Sequence, residues 1–137
     1  MPECVDAILR EMSDEIDGFL TASVGRVDGV CLAFLGEHKD SYAEAPSKDR
    51  DLIGTSGQND TMPINLLNLT GWAVAQLGMG RVDNLLLTLQ DGFLFLCFLE
   101  GRCYYLSIFI ERKKGNVGNL FLVSNNYAKR ITEALGQ

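Results

Sequence analysis

A chain of 137 residues, 47% hydrophobic and 22% charged, can bury a sizeable core without disulfide or metal staples, and one domain over 1–137 is expected. Its net charge of −6 argues against nucleic-acid binding, which calls for a basic face or stripe. No apolar run reaches the about 18 residues of a membrane span. The acidic start Met1-Pro2-Glu3-Cys4-Val5-Asp6 is also unlike a signal peptide, so a cytoplasmic protein with no membrane insertion is expected.

The charge is unevenly spread. Residues 1–60 carry 13 acids and 5 bases, whereas residues 61–137 carry 5 acids and 7 bases. The bases Arg112-Lys113-Lys114 and Lys129-Arg130 form a local patch at most, consistent with solvated helix ends. Four cysteines without CxxC pairing and the single His38 imply no metal site. Cys31, Cys97 and Cys103 fit small buried hydrophobes in strands. The sequons at Asn59 and Asn68 are chance matches on this reading.

In chain order, Val5, Ile8, Leu9, Met12 and Ile16 make one apolar stripe, predicting a one-sided covering helix from about Glu3 to Asp17. Gly18 is placed to end it in a left-handed cap. Phe19 to Val24 and Val30 to Leu35 bracket Gly25-Arg26-Val27-Asp28-Gly29 and predict a hairpin. Residues 36–61 turn polar and aperiodic, with only Leu52-Ile53 as an anchor and at most a turn of helix at Ser41 to Ala45. A long loop is expected there, and His38 within it receives no role.

Thr61 is placed to cap a second helix running to about Leu77, with Pro63 in its first turn and Gly78-Met79-Gly80 as its stop. Ile64, Leu67, Gly71, Val74 and Ala75 form one stripe, but Leu66, Leu69, Trp72 and Ala73 fill much of the remaining circumference. A helix this apolar all round needs burial on more than one side, and a sheet covers only one. A protein partner is the economical cover for the second.

Three apolar runs follow: Val82 to Gln90, Phe93 to Leu99 and Cys103 to Ile110, separated by Asp91-Gly92 and Glu100-Gly101, and Gly92 is expected to supply the positive φ of a hairpin turn. The middle run has no polar residue on either face, so it requires covers on both sides. A charged connection, Glu111-Arg112-Lys113-Lys114-Gly115, leads to a last helix from about Val117 to Leu135. The order is helix, two strands, helix, three strands, helix. The first and last helices are expected on one face of the sheet and the middle helix on the other.

No Ser-His-Asp or Cys-His constellation and no complete phosphate-binding loop is present, so neither catalytic residues nor cofactor ligands are expected and the chain reads as a non-enzyme. Gly115-Asn116-Val117-Gly118 precedes a helix N-terminus that could hold an anion, although most such glycine loops hold nothing.

The element order, with Ile16-Asp17-Gly18-Phe19, Arg26-Val27-Asp28-Gly29-Val30 and Gly115-Asn116-Val117-Gly118-Asn119-Leu120, resembles the roadblock family of dynein light chains. That family includes MglB-type regulators of small GTPases. The resemblance covers about Val5 to Leu135; the long polar loop and the uncharged middle helix depart from it. It implies an α+β fold, an αββαβββα domain of profilin-like layering with a five-stranded antiparallel sheet. It also implies a homodimer joined through the strand after the middle helix, with the two middle helices meeting across the dyad. Leu66, Leu69, Trp72 and Ala73 on the helix and Leu85, Leu87 and Leu89 on the strand are the implied interface.

The expected function is a non-catalytic scaffold that binds and regulates a small Ras-like GTPase. A small-molecule sensor with a pocket of Tyr104, Tyr105 and Trp72 is the alternative, as is a purely structural subunit of a larger complex.

Overall fold

The computed structural model describes residues 3–36 and 61–136. Helix α1 spans Val5–Glu15, followed by strands β1 (Phe19–Arg26) and β2 (Cys31–Gly36). Helix α2 (Met62–Val74) continues as one 3₁₀ turn over Ala75–Leu77. Strands β3 (Asn84–Thr88), β4 (Gly92–Phe98) and β5 (Tyr104–Glu111) lead to helix α3 (Val117–Ala134). The five strands form one antiparallel sheet in the order β2-β1-β5-β4-β3. The expected long loop at 36–61 lies outside the described residues except at its ends, Gly36 and Thr61, as do His38, Leu52-Ile53, the possible turn at Ser41 to Ala45 and the sequon at Asn59.

The doubly apolar run explains the layering. Phe95 and Leu99 lie in a core with Ile8, Leu9 and Met12 of α1, Leu120, Val123, Tyr127 and Ile131 of α3, and Ile108 and Ile110 of β5. Leu94 and Leu96 point the other way, into a smaller core with Ile64 and Leu67 of α2 and Tyr105 of β5. Alternation along one strand thus feeds both cores. The expected arrangement holds: α1 and α3 pack together on one face, and α2 covers the other.

Polar contacts tie α1 to α3. Arg130 pairs with both Glu3 and Glu11 and lies over the Tyr127 ring at 5.2 Å. Tyr127 donates its hydroxyl proton to Glu15, and that hydrogen bond pushes the phenol up to about 12. Asn119 Oδ1 accepts from the Asp17 N–H at 2.9 Å, and its amide donates to the Glu15 carbonyl at 3.0 Å. Exposed ion pairs add little stability, so these contacts set orientation more than energy.

Several local expectations change. The first helix stops at Glu15 because Ile16 is extended. Gly18 does have φ +70°, but a Cβ there would sit 2.7 Å from the Gly115 nitrogen, so close approach of two loops requires glycine. Thr61 does not cap α2; its backbone is itself helical, and its hydroxyl accepts instead from the Asn65 side chain at 3.3 Å. Gly92 is not at positive φ, and a Cβ there would meet the Ile110 carbonyl at 2.6 Å. In the second turn Gly101 has φ +86° and Arg102 φ +59°.

Gly25 gives a packing test against a buried side chain. A Cβ at this position would sit 2.5 Å from Tyr105 Cζ, and Tyr105 is fully buried. Gly25→Val should destabilise the fold by about 2–3 kcal/mol through overpacking, seen as a lower denaturation midpoint with an unchanged slope.

Candidate docking face

Helix α2 presents two unlike sides. Of the predicted stripe, Ile64 and Leu67 are buried, Gly71 and Val74 half-buried and Ala75 exposed, and Pro63 is buried beside them. The opposite side leaves Leu69 62%, Trp72 78%, Leu77 68% and Met79 86% exposed. Not one charged residue occurs from Met62 to Gly80, and only Asn65, Asn68, Thr70 and Gln76 are polar. Monomeric proteins seldom show a contiguous apolar surface of this kind unless something covers it.

Of the helix residues expected at an interface, Leu69, Trp72 and Ala73 are exposed, while Leu66 is half-buried against the smaller core. Leu77 and Met79 were missed because the glycines around them read as a helix stop. The continued absence of charge through Gly80 was the signal for them. Gly78 does end the helical segment, at φ +65° with its N–H on the Ala75 carbonyl.

The strand half of the site is β3, an edge strand with neither charge nor proline to protect it. Leu85 and Leu87 turn their side chains toward α2 and are half-buried there, and Leu86 packs on the α1–α3 side. Phe98 N–H bonds to the Asp83 carbonyl and Leu89 N–H to Gly92. By the antiparallel alternation, Asp83, Leu85, Leu87 and Leu89 therefore direct their backbone at β4. Asn84, Leu86 and Thr88 direct theirs to the open edge. Leu89 lies beyond the strand; its carbonyl accepts from Arg112 Nη1 at 3.0 Å, so only its side chain is available.

A groove of about 480 Å³ lies on the α3 side of this edge between Asn84, Phe95 and Cys97 of the sheet and Phe121 and Leu122 of the helix. The three residues expected to line a sensor pocket do not meet. Tyr105 is fully buried in the smaller core, Tyr104 packs on the opposite face, and Trp72 stands in solvent. The possible anion site before α3 is satisfied internally, since Asn116 Oδ1 accepts the Asn119 N–H at 2.8 Å. No helix among the described residues is long and apolar enough to cross a membrane.

The cysteines divide. Burial pushes the Cys97 thiol up to about 12, and Cys31 is half-buried. Cys103 contradicts the expectation: it is exposed, with its thiol 3.7 Å from the Gly101 carbonyl, because the turn before β5 holds it out of the sheet.

Neither a protein-family model nor a curated protein sequence matches the chain. Solved structures do. The order, layering and edge strand are those of a roadblock/LC7 fold. MglB of Myxococcus xanthus matches with a TM-score of 0.73 over 96% of this chain and 94% of its own, at 10% identity. A roadblock/LC7 domain from Streptomyces avermitilis matches at 0.72 over 96% and 98%, at 16% identity. An MglB with a tetrameric arrangement matches at 0.69 over 95% and 89%, at 18% identity. The resemblance carried by the sequence motifs thus holds for the fold, at identities where only the fold is shared.

Only thiolates alkylate readily. Iodoacetamide at pH 8 on the native chain, read by peptide mass mapping, should therefore label Cys4 and Cys103 and spare Cys97 until the protein is denatured.

Proposed function

We propose that the chain is a single-domain, non-catalytic homodimeric scaffold that binds and regulates a small Ras-like GTPase. It acts by positioning the partner's own switch regions and donates no catalytic residue. The observation that carries the self-association is the uncharged exposed face of α2 beside the open edge of β3. Two copies joined antiparallel through Asn84, Leu86 and Thr88 would continue the sheet from one protomer into the other. They would bring Leu66, Leu69, Trp72 and Ala73 to the shared face, with Leu85, Leu87 and Leu89 supporting it from the strand. An MglB with the same fold exists in a tetrameric arrangement, which supports self-association here. The GTPase is supported by the likeness to MglB together with the motif-level resemblance to MglB-type regulators.

Light scattering after size exclusion should give twice the chain mass of 15.1 kDa at micromolar concentration, and a folded monomer would overturn the dimer. Because Trp72 is exposed within one chain, Trp72→Glu should leave the circular dichroism intact while breaking the dimer. An unpaired charge buried at the interface costs about 3–5 kcal/mol.

The partner is tested separately. Immobilised wild-type chain should retain a small GTPase from its source organism in one nucleotide state more than the other. If a stable dimer retains none in either state, the regulatory reading fails and a structural subunit remains.

A further inference from the structure

A groove of about 250 Å³ runs between α2 and the corner where β3 begins and β4 ends, lined by Asn68, Gly71, Trp72, Arg81, Phe98 and Arg102. Its chemistry is unlike the rest of the α2 surface. Two arginines line it in a protein of net charge −6. Arg81 is exposed and has no hydrogen-bond or ion-pair partner among the described residues. Arg102 reaches only Asp83, at 3.6 Å, and the Asp83 side chain is 90% exposed.

The groove is also shaped in advance. Arg102 sits at φ +59°, a region glycine or asparagine would enter more cheaply, and its guanidinium lies 4.0 Å from the centroid of the Phe98 ring. That stacking holds the cation at the groove wall without neutralising it. Gly71 supplies the floor. It stands inside α2, where glycine costs about 0.5–1 kcal/mol relative to alanine. A Cβ added to it would meet nothing within 4 Å. Nothing within the chain therefore demands a glycine there, whereas close approach by another molecule would.

We propose that this groove docks an acidic, apolar segment of a partner protein, its aliphatic side chain over Gly71 and against Trp72 and its carboxylates on Arg81 and Arg102. A carboxylate suits both guanidinium forks, and the uncharged floor suits the aliphatic part. The inference goes beyond the scaffold reading, because all six residues belong to one chain and the segment need not come from a GTPase. It is also compatible with a dimer. At about 100° per residue, Asn68 and Gly71 lie on one flank of Trp72, while Leu69 and Ala73 lie on the other.

Trp72 is the chain's single tryptophan, so its emission reports on the groove. The probe is a capped hexapeptide alternating glutamate with leucine, and the control alternates lysine with leucine. At low salt the acidic peptide should shift Trp72 emission to shorter wavelength saturably, and the basic peptide should not. Arg81→Gln combined with Arg102→Gln should weaken binding about tenfold or more. Gly71→Leu fills the floor with a better helix former, so it should block the peptide while leaving the thermal midpoint unchanged or higher.

The proposal is overturned if the acidic peptide gives no saturable shift, or if both peptides act alike. It is equally overturned if neither variant changes the affinity. If the peptide-induced shift disappears at protein concentrations where two copies associate, the groove belongs to the second copy and the proposal is overturned too.

Discussion

A strand without a polar face has to be covered twice, and the architecture answers that demand at β4. Phe95 and Leu96 are neighbours in sequence yet lie in different cores, one beneath α1 and α3 and the other beneath α2. The two covers are unequal. A helix of 13 residues is about 20 Å long and about 10–12 Å wide, whereas five strands about 4.8 Å apart span roughly twice that width. Two helices suffice for one face of such a sheet. Among the described residues, one helix leaves the margins of the other face open, and Leu85 and Leu87 at the edge are only half-buried.

That geometry explains why α2 is apolar all round. Its inner side must fill a core alone, while its outer side carries no charge and meets no other element among the described residues. The open edge of β3 lies beside the same helix, and an edge strand with unsatisfied outward backbone groups favours pairing with another chain. Both features are costly in a free monomer and consistent in an assembly. The cationic groove on the far flank of Trp72 adds a second, chemically distinct surface to one helix.

The elements and their faces were largely legible because they depend on short-range periodicity. The 3.6-residue stripe of Val5 to Ile16, the unbroken apolar run of Phe93 to Leu99 and the charge-free stretch from Met62 to Gly80 each announce themselves. Glycine roles were less legible, because a glycine demanded by positive φ and one demanded by close approach look identical in a sequence. Gly92 read as a positive-φ turn residue and proved to make room for the Ile110 carbonyl. Gly18 read as a helix cap, and its place is set by the Gly115 backbone almost a hundred residues away.

The sequence by itself determined the order of elements, the need for two covers on β4 and the surplus apolar surface of α2, since all three follow from hydrophobic pattern along the chain. Only the tertiary structure decided which backbone groups of β3 face the open edge, that Cys103 is exposed while Cys97 is half-buried, and that Arg81 and Arg102 line one groove with Gly71. Those outcomes depend on strand register, turn conformation and the packing of segments distant in sequence. No local pattern of residues encodes where such segments meet.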